Sequence, residues 1–573
     1  MREWIHVLKK STALVLSIVM GLTLSLPTLT AAQGNKESPT IENRSEKSSQ
    51  SRHHPAFSWG TPGPISNVLH PGSARGAGMR EEPLQEIDDT MQELIGEGVM
   101  PGAITHVARR GHVVQHQAYG YAAKYEDDQG TVMSDPVAMQ KDTIMDLASI
   151  SKLFTTTSAM ILYEQGAFDL DDLVADYLPS FASNGKEAVT IRQLMTHTSG
   201  FPAWIPLYQQ GDSREDRLQI VMEEPLTAEP GESYQYSDLN MITLGVLIEE
   251  LSGKRLDQFV ADNITDPLNM SNTMYNPPES LKQQTAATEF QPYIDRGIVW
   301  GEVHDENAWS LDGVAGHAGV FSTASDLAKF AHIFINDGRY GGEQILKPAT
   351  IDLLVNNQIP DFPGNAHGLG WELNQGWYMD ALSESTTIGH TGYTGTSIVI
   401  NPNNKTVAIL LTNRVHPTRD TPSTNPARRA LARQVADAIP VDTPKHRDTW
   451  FAGYGSSADK TLKAEIDLDH DATLRFSTWY RIENNYDFGY VEVSSDGENW
   501  EDVTPESYTG SSGNWKDVNV AIPKDTQFVR FRYNTDGSVN SRGWYVSEPT
   551  IKEDGEQPDS LQLSSDEWEK RSY

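Results

Sequence analysis

The chain has 573 residues, enough for two or three folding units, and its 79 Asp and Glu against 45 Lys and Arg leave a formal charge of -34. Such a surface repels nucleic acid and anionic lipid at long range and argues against a DNA-binding role. The absence of cysteine removes disulfide staples, a thiol nucleophile, a thiolate zinc site and a lipid-modified cysteine together, so stability has to come from packed cores.

At the N-terminus, Arg2, Lys9 and Lys10 precede an apolar run over residues 12–26 and the small residues Thr30, Ala31 and Ala32. This is a secretory signal layout with cleavage expected after Ala32, and the run is shorter than the ~18 to 20 residues of a spanning helix. Residues 1–32 are therefore read as a signal peptide, and membrane attachment is expected only if it stays uncleaved. Residues 33–55, rich in Ser, Glu, Lys and Asn, bury too little apolar surface to order and read as a flexible spacer. A globular segment over 56–440 opens with an amphipathic helix from Pro83, marked by Leu84, Ile87, Met91, Leu94 and Ile95. Strands at 103–108 and 113–121 flank an Arg110-Gly111 turn, and strands at 396–400 and 406–411 flank residues 401–404; a helix is expected over 426–439. Strands at both ends with helices between predict an α/β fold whose sheet joins distant parts of the chain. Beyond Pro440, short alternating runs such as 474–480, 490–494 and 528–533 read as a separate all-β sandwich over 447–551, its tryptophans mostly core. Residues 552–573 read as a loose acidic tail.

The chemistry concentrates at Ser149-Ile150-Ser151-Lys152, where a serine and a lysine three apart open a helical stretch and share one face. A serine hydroxyl needs a neighbour to take its proton, and a buried lysine with a lowered pKa can do so. Alone the pattern is weak, since Ser183 with Lys186 and Ser457 with Lys460 also match it. Order and company single out Ser149. Downstream lie Tyr236-Ser237-Asp238 and then His390-Thr391-Gly392 leading into a strand, the positions of the S-D-N and K-T-G elements that accompany S-x-x-K. His304 with Asp305 and Glu306 lacks paired metal-ligand spacing. No metal and no cofactor are expected, and His197 and His317 read as satisfying local hydrogen bonds.

With these motifs, together with residues 194–200, 230–232, 303–308 and 313–319, segment 57–440 resembles β-lactamase-related serine hydrolases, the group of class C β-lactamases and D-alanyl-D-alanine carboxypeptidases. It is most similar to exported penicillin-binding carboxypeptidases and muropeptide N-acetylmuramoyl-L-alanine amidases. The resemblance implies a β-lactamase/transpeptidase-like antiparallel sheet flanked by helices. It implies Ser149 as nucleophile, Lys152 as its base, Tyr236 as proton relay and His390 on the sheet edge. The N–H groups of Ser149 and Tyr393 would form the oxyanion hole, with Asp238, Thr391, Gly392 and a His304 loop lining the substrate site. The implied reaction is acyl transfer to water on an amide of peptidoglycan or its fragments, outside the cell and at the cell wall. An esterase, a β-lactamase and a non-catalytic wall-binding protein of the same fold are the alternatives. The β module resembles domains appended to secreted bacterial proteases and is expected to dock on wall or protein without sharing in the chemistry.

Overall fold

Residues Gly102–Arg109 and His112–Tyr125 pair antiparallel about a two-residue turn. Arg110 (φ 52°) and Gly111 (φ 88°) both adopt left-handed backbone there, the geometry that matches the twist of a hairpin. The computed structural model describes residues 57–60, 64–444, 448–537, 539–553 and 555–573, and the expected signal segment and spacer lie outside them. All of these residues belong to one compact unit, His54–Tyr573. Among them no helix is long and apolar enough to cross a membrane.

The hairpin joins a sheet whose order runs His70–Pro71, His112–Tyr125, Gly102–Arg109, Thr406–Thr412, Ser397–Asn401, Ile388–Thr391, Glu372–Leu373. The chain's two ends thus meet at the pairing of Thr406–Thr412 with Gly102–Arg109. Pairing is antiparallel except at the short edge strand, where His70 and Pro71 run parallel to His112 and Val113. Both faces are covered. Along one strand Val407, Ile409 and Leu411 enter the larger apolar core while Ala408 and Leu410 enter the other, the period-two alternation of a sheet packed on both sides. The larger core lies against helices Ser151–Glu164, Asp238–Ser252 and Ala324–Ile333. The second lies against Glu82–Gly96 and Asn425–Asp437. Thr323 caps Ala324–Ile333 by accepting from Asp326 N.

The C-terminal region is a sandwich of a six-stranded and a four-stranded sheet around Trp544, Phe531, Leu474 and Val491. Of its expected core tryptophans, Trp479 and Trp544 are buried, whereas Trp450, Trp500 and Trp515 are half-buried. Two expectations are corrected. The tail is not loose: Glu569–Arg571 pairs with Thr449–Phe451, and Trp568 is buried in the sandwich, because that one large ring gains more by burial than its charged neighbours lose by being tethered. Nor does the sandwich read as separate over 447–551 stand apart from the hydrolase segment. Phe451, Trp479 and Tyr545 enter the same apolar core as Ala427, Leu431 and Val435 of the hydrolase segment. Asp437 pairs with Arg542 at 3.2 Å and Arg571 at 2.9 Å, and Arg481 pairs with Glu384 at 2.7 Å.

Candidate active site

Strand Met145–Asp146 turns sharply into the 3-10 turn Ala148–Ile150 and then helix Ser151–Glu164. Ala148 makes the turn at φ 49°, a left-handed conformation that costs an L-residue roughly 1–2 kcal/mol. Several bonds hold it. The Asp146 carboxylate accepts from Ala148 N at 2.8 Å and His304 N at 2.7 Å, while Thr394 and Thr396 donate hydroxyls to the Asp146 and Leu147 carbonyls at 2.9 and 3.1 Å. Burial still pushes the Asp146 carboxyl up, against the help of those two N–H groups. Gly392 completes the elbow: a Cβ there would meet Thr396 Oγ1 at 2.1 Å and Leu147 O at 2.5 Å, so its role is close approach of the motif strand to the turn that carries Ser149.

Ser149 is half-buried beside a fully buried Lys152. Lys152 Nζ lies 2.9 Å from Ser149 Oγ, 3.1 Å from the His317 carbonyl and 2.8 Å from Asp238 Oδ1. Three acceptors match the three hydrogens of an ammonium. Burial pulls the lysine pKa down, as the sequence argument requires, but the Asp238 carboxylate, followed by Tyr236, outweighs it and holds the group above its ordinary value. Asp238 thus opposes the lowered pKa expected of Lys152 and favours its ammonium form, which donates to Ser149 Oγ. The physical reason is Asp238, a full charge where S-D-N has a neutral amide.

Lys152 Nζ lies 4.9 Å from the centroid of the Tyr236 ring, and burial raises the tyrosine pKa despite the lysine charge. Its ring lies 4.6 Å from that of His197. His197 accepts from Ser237 N at 3.2 Å and gives its carbonyl to Gln235 N at 2.9 Å, so it shapes the loop that presents Tyr236 and Asp238, the local role expected of it. His390 sits on strand Ile388–Thr391. Its Nδ1–H donates to the Thr391 carbonyl at 2.7 Å, its Nε2 is buried without a partner, and burial followed by the Lys152 charge pushes its pKa down to about 3. It is a neutral acceptor, unlike the lysine of K-T-G.

A cavity of about 430 Å³ opens over these groups, lined by Ser149, Tyr236, His390, Thr391 and Tyr393 and also by Glu372, Arg414 and Arg428. A larger one, about 690 Å³, lies against His106, His116 and Lys329 and touches none of the motif residues. Chemistry, not volume, marks the smaller as the site. Two residues expected to line the substrate site, Asp238 and His304, are not among its lining residues; Asp238 is turned to Lys152, and His304 stands behind the cavity. Its imidazole is buried, 2.9 Å from Glu289 Oε2, and stacks under Tyr393 with centroids 5.7 Å apart. Arg419 bridges Glu289 and Glu306 beneath. His304 thereby anchors Asp146 through its backbone and Tyr393 through its ring.

His317, read from the sequence as satisfying a local hydrogen bond, lies with Nε2 2.7 Å from Asp305 Oδ1. Asp238, Asp305 and His317 could hold a cation, yet Lys152 already supplies positive charge against Asp238. In the sandwich, where no metal-ligand cluster was read from the sequence, Glu483, Asp487 and Asp536 converge. Burial and mutual repulsion push Glu483 up to about 7 and Asp487 up to about 6.

Layers and pocket together define a β-lactamase-fold serine hydrolase. The chain belongs to the β-lactamase family, whose profile matches residues 87–433. A provisionally named D-alanyl-D-alanine carboxypeptidase of Salmonella typhi is 33% identical over 392 residues, covering 63% of this chain and 89% of that protein, and its counterpart in Salmonella newport aligns to the same extent. Among solved structures, the simvastatin synthase LovD of Aspergillus terreus shares 20% identity with a TM-score of 0.50, covering 62% of this chain and 98% of that one. A penicillin-binding protein homologue from Caulobacter crescentus shares 17% with a TM-score of 0.48, covering 62% and 97%.

Proposed function

We propose that this hydrolase is exported and cleaves an amide of peptidoglycan or a muropeptide through a seryl ester on Ser149, with its β module docking on wall or protein. The observation that carries the reading is the contact of Ser149 Oγ with Lys152 Nζ at 2.9 Å, opposite Tyr236 in an open cleft. The signal-like N-terminus and the likeness to a provisionally named D-alanyl-D-alanine carboxypeptidase support the substrate class.

With Lys152 held as an ammonium by Asp238, the lysine is not the base in this reading. Tyr236 accepts the serine proton as it gives its own to the departing nitrogen, so the proton count at the tyrosine does not change while the C–N bond breaks and the Ser149 ester forms. Lys152 stabilises negative charge on both oxygens during the exchange. The tetrahedral oxygen meets the N–H groups of Ser149 and Tyr393, each donor contributing about 3 to 4 kcal/mol by analogy with other acyl-transfer sites. Water then enters by the reverse relay. The test is mass spectrometry of a muropeptide mixture incubated with the enzyme and with Ser149→Ala. Loss of terminal D-alanine or of the lactyl-linked peptide, by the parent alone, is expected; an unchanged mixture would sink the substrate assignment.

A further inference from the structure

Glu372 lines the same cavity as Ser149 and His390. It sits on the edge strand, in register with Gly389 next to His390. Its Oε2 is buried beside the Tyr378 hydroxyl, and among the described residues no lysine, arginine or histidine forms an ion pair with it. The two arginines of the cavity are turned elsewhere. Arg428 gives Nη2 to the carbonyls of Gly392 and Thr396 at 2.8 and 3.0 Å, and Arg414 gives Nε to the Tyr393 carbonyl at 3.3 Å. Lys152 is committed to Asp238. At the one neighbouring position where K-T-G would place a fixed cation, this chain has the neutral His390. A buried carboxylate without a counter-charge is costly. The group responds as that cost predicts: burial pushes its pKa up to about 7, against the help of Tyr378, Arg428 and Lys152.

From this arrangement we infer that Glu372 is the subsite for a primary ammonium carried by the acyl substrate, the ligand supplying the cation that the motif strand lacks. The inference rests on Ser149 as the reacting centre and adds the substrate class: an amine-bearing acyl compound, preferred over its N-acylated counterpart. A charge-assisted hydrogen bond in a partly desolvated pocket is the source of the preference.

The probes are methyl 6-aminohexanoate, whose amine stays protonated at neutral pH, and its N-acetyl derivative. Calorimetric titration of Ser149→Ala, which cannot turn them over, is expected to give the amine at least tenfold tighter binding. Ammonium binding ionises Glu372, so titration at pH 7 in buffers of different ionisation enthalpy should show a fraction of a proton released. In Ser149→Ala/Glu372→Gln both the preference and the proton release disappear; in Ser149→Ala/Glu372→Asp the release persists. Equal affinity for the two probes, or a preference that survives Glu372→Gln, overturns the subsite. Failure of the parent to be labelled at Ser149 by a fluorophosphonate would refute the hydrolase reading instead, and the binding comparison would still stand.

Discussion

Asp238→Asn tests the resting charge state on which the relay depends. The carboxylate lies 2.8 Å from Lys152 Nζ, a separation worth about 6 kcal/mol at an effective dielectric of ~20, or roughly 4 pKa units. Its side chain is 18% exposed, so solvent screening takes back a share, and a shift of roughly 2 units or more is left. The isosteric amide keeps the hydrogen bond and removes the charge, leaving burial to act on the lysine unopposed. Lys152 should then lose its proton within an ordinary alkaline pH scan, which the parent lysine does not. Two measurements follow: the ¹⁵Nζ resonance of Lys152 against pH, assigned by its absence in Lys152→Ala, and the pH dependence of kcat/KM. The ammonium relay predicts a new descending alkaline limb in Asp238→Asn, because loss of the cation removes stabilisation of both oxygens. Folding should weaken by about 3 kcal/mol as well, the usual cost of stripping a partner from a buried cation. An Asp238→Asn enzyme whose activity instead climbs above the parent as its lysine deprotonates would show that neutral Lys152 is the base, and the relay would be wrong.

Acid should destabilise the fold before it touches the chemistry. Burial pushes His106 and His390 down to about 3 and His332, His367 and His416 down to about 4. A depressed folded pKa gives stability that is present above the unfolded value near 6.5 and lost as pH falls toward the folded one, up to about 2 kcal/mol per histidine at pH 5. Glu372, pushed up, works in the opposite sense and offsets a part. The Tm should therefore drop between pH 7 and pH 5, and a flat or rising Tm would contradict these imidazoles being neutral and buried. Because His390 stays neutral over that range, no inflection near pH 6.5 in kcat/KM should vanish in His390→Gln; one that does would make it a titrating group. The shared core and the buried Arg542–Asp437 pair predict a single calorimetric transition for the hydrolase segment and sandwich, lowered by about 3 kcal/mol in Arg542→Ala. Two independent transitions would restore the freely hinged module.

How much of this was legible beforehand depends on whether a feature is local in sequence. The hairpin at Arg110-Gly111 and the strand over residues 406–411 are set by short-range chemistry, and the structure has them where the sequence puts them. Ser149, Lys152, Tyr236 and His390 stand out in the sequence because their order is a pattern and each carries a recognisable group, and the fold brings them together. What could not be read is what those groups do to one another. The sequence says that Lys152 is buried in a helix and so ought to lose charge; only the fold brings Asp238, 86 positions downstream by the numbering, to 2.8 Å and reverses the sign. His304 drew notice as a chemical residue in a matching stretch, but its ring is consumed by Glu289 and Tyr393, partners that no spacing rule links to it. Glu372 carried no signal at all, being one acid among 79 Asp and Glu whose meaning comes from the cations that are not beside it. The tail misled for a related reason: composition averages over residues, and the burial of Trp568 with the ion pair of Arg571 to Asp437 fixes a segment whose mean character is solvated. Charge, in this chain, is therefore the quantity hardest to infer from sequence and the one on which the active site most depends, since two substitutions in otherwise recognisable motifs, aspartate at 238 and histidine at 390, move the positive charge away from the motif strand and tie what remains to a neighbouring carboxylate.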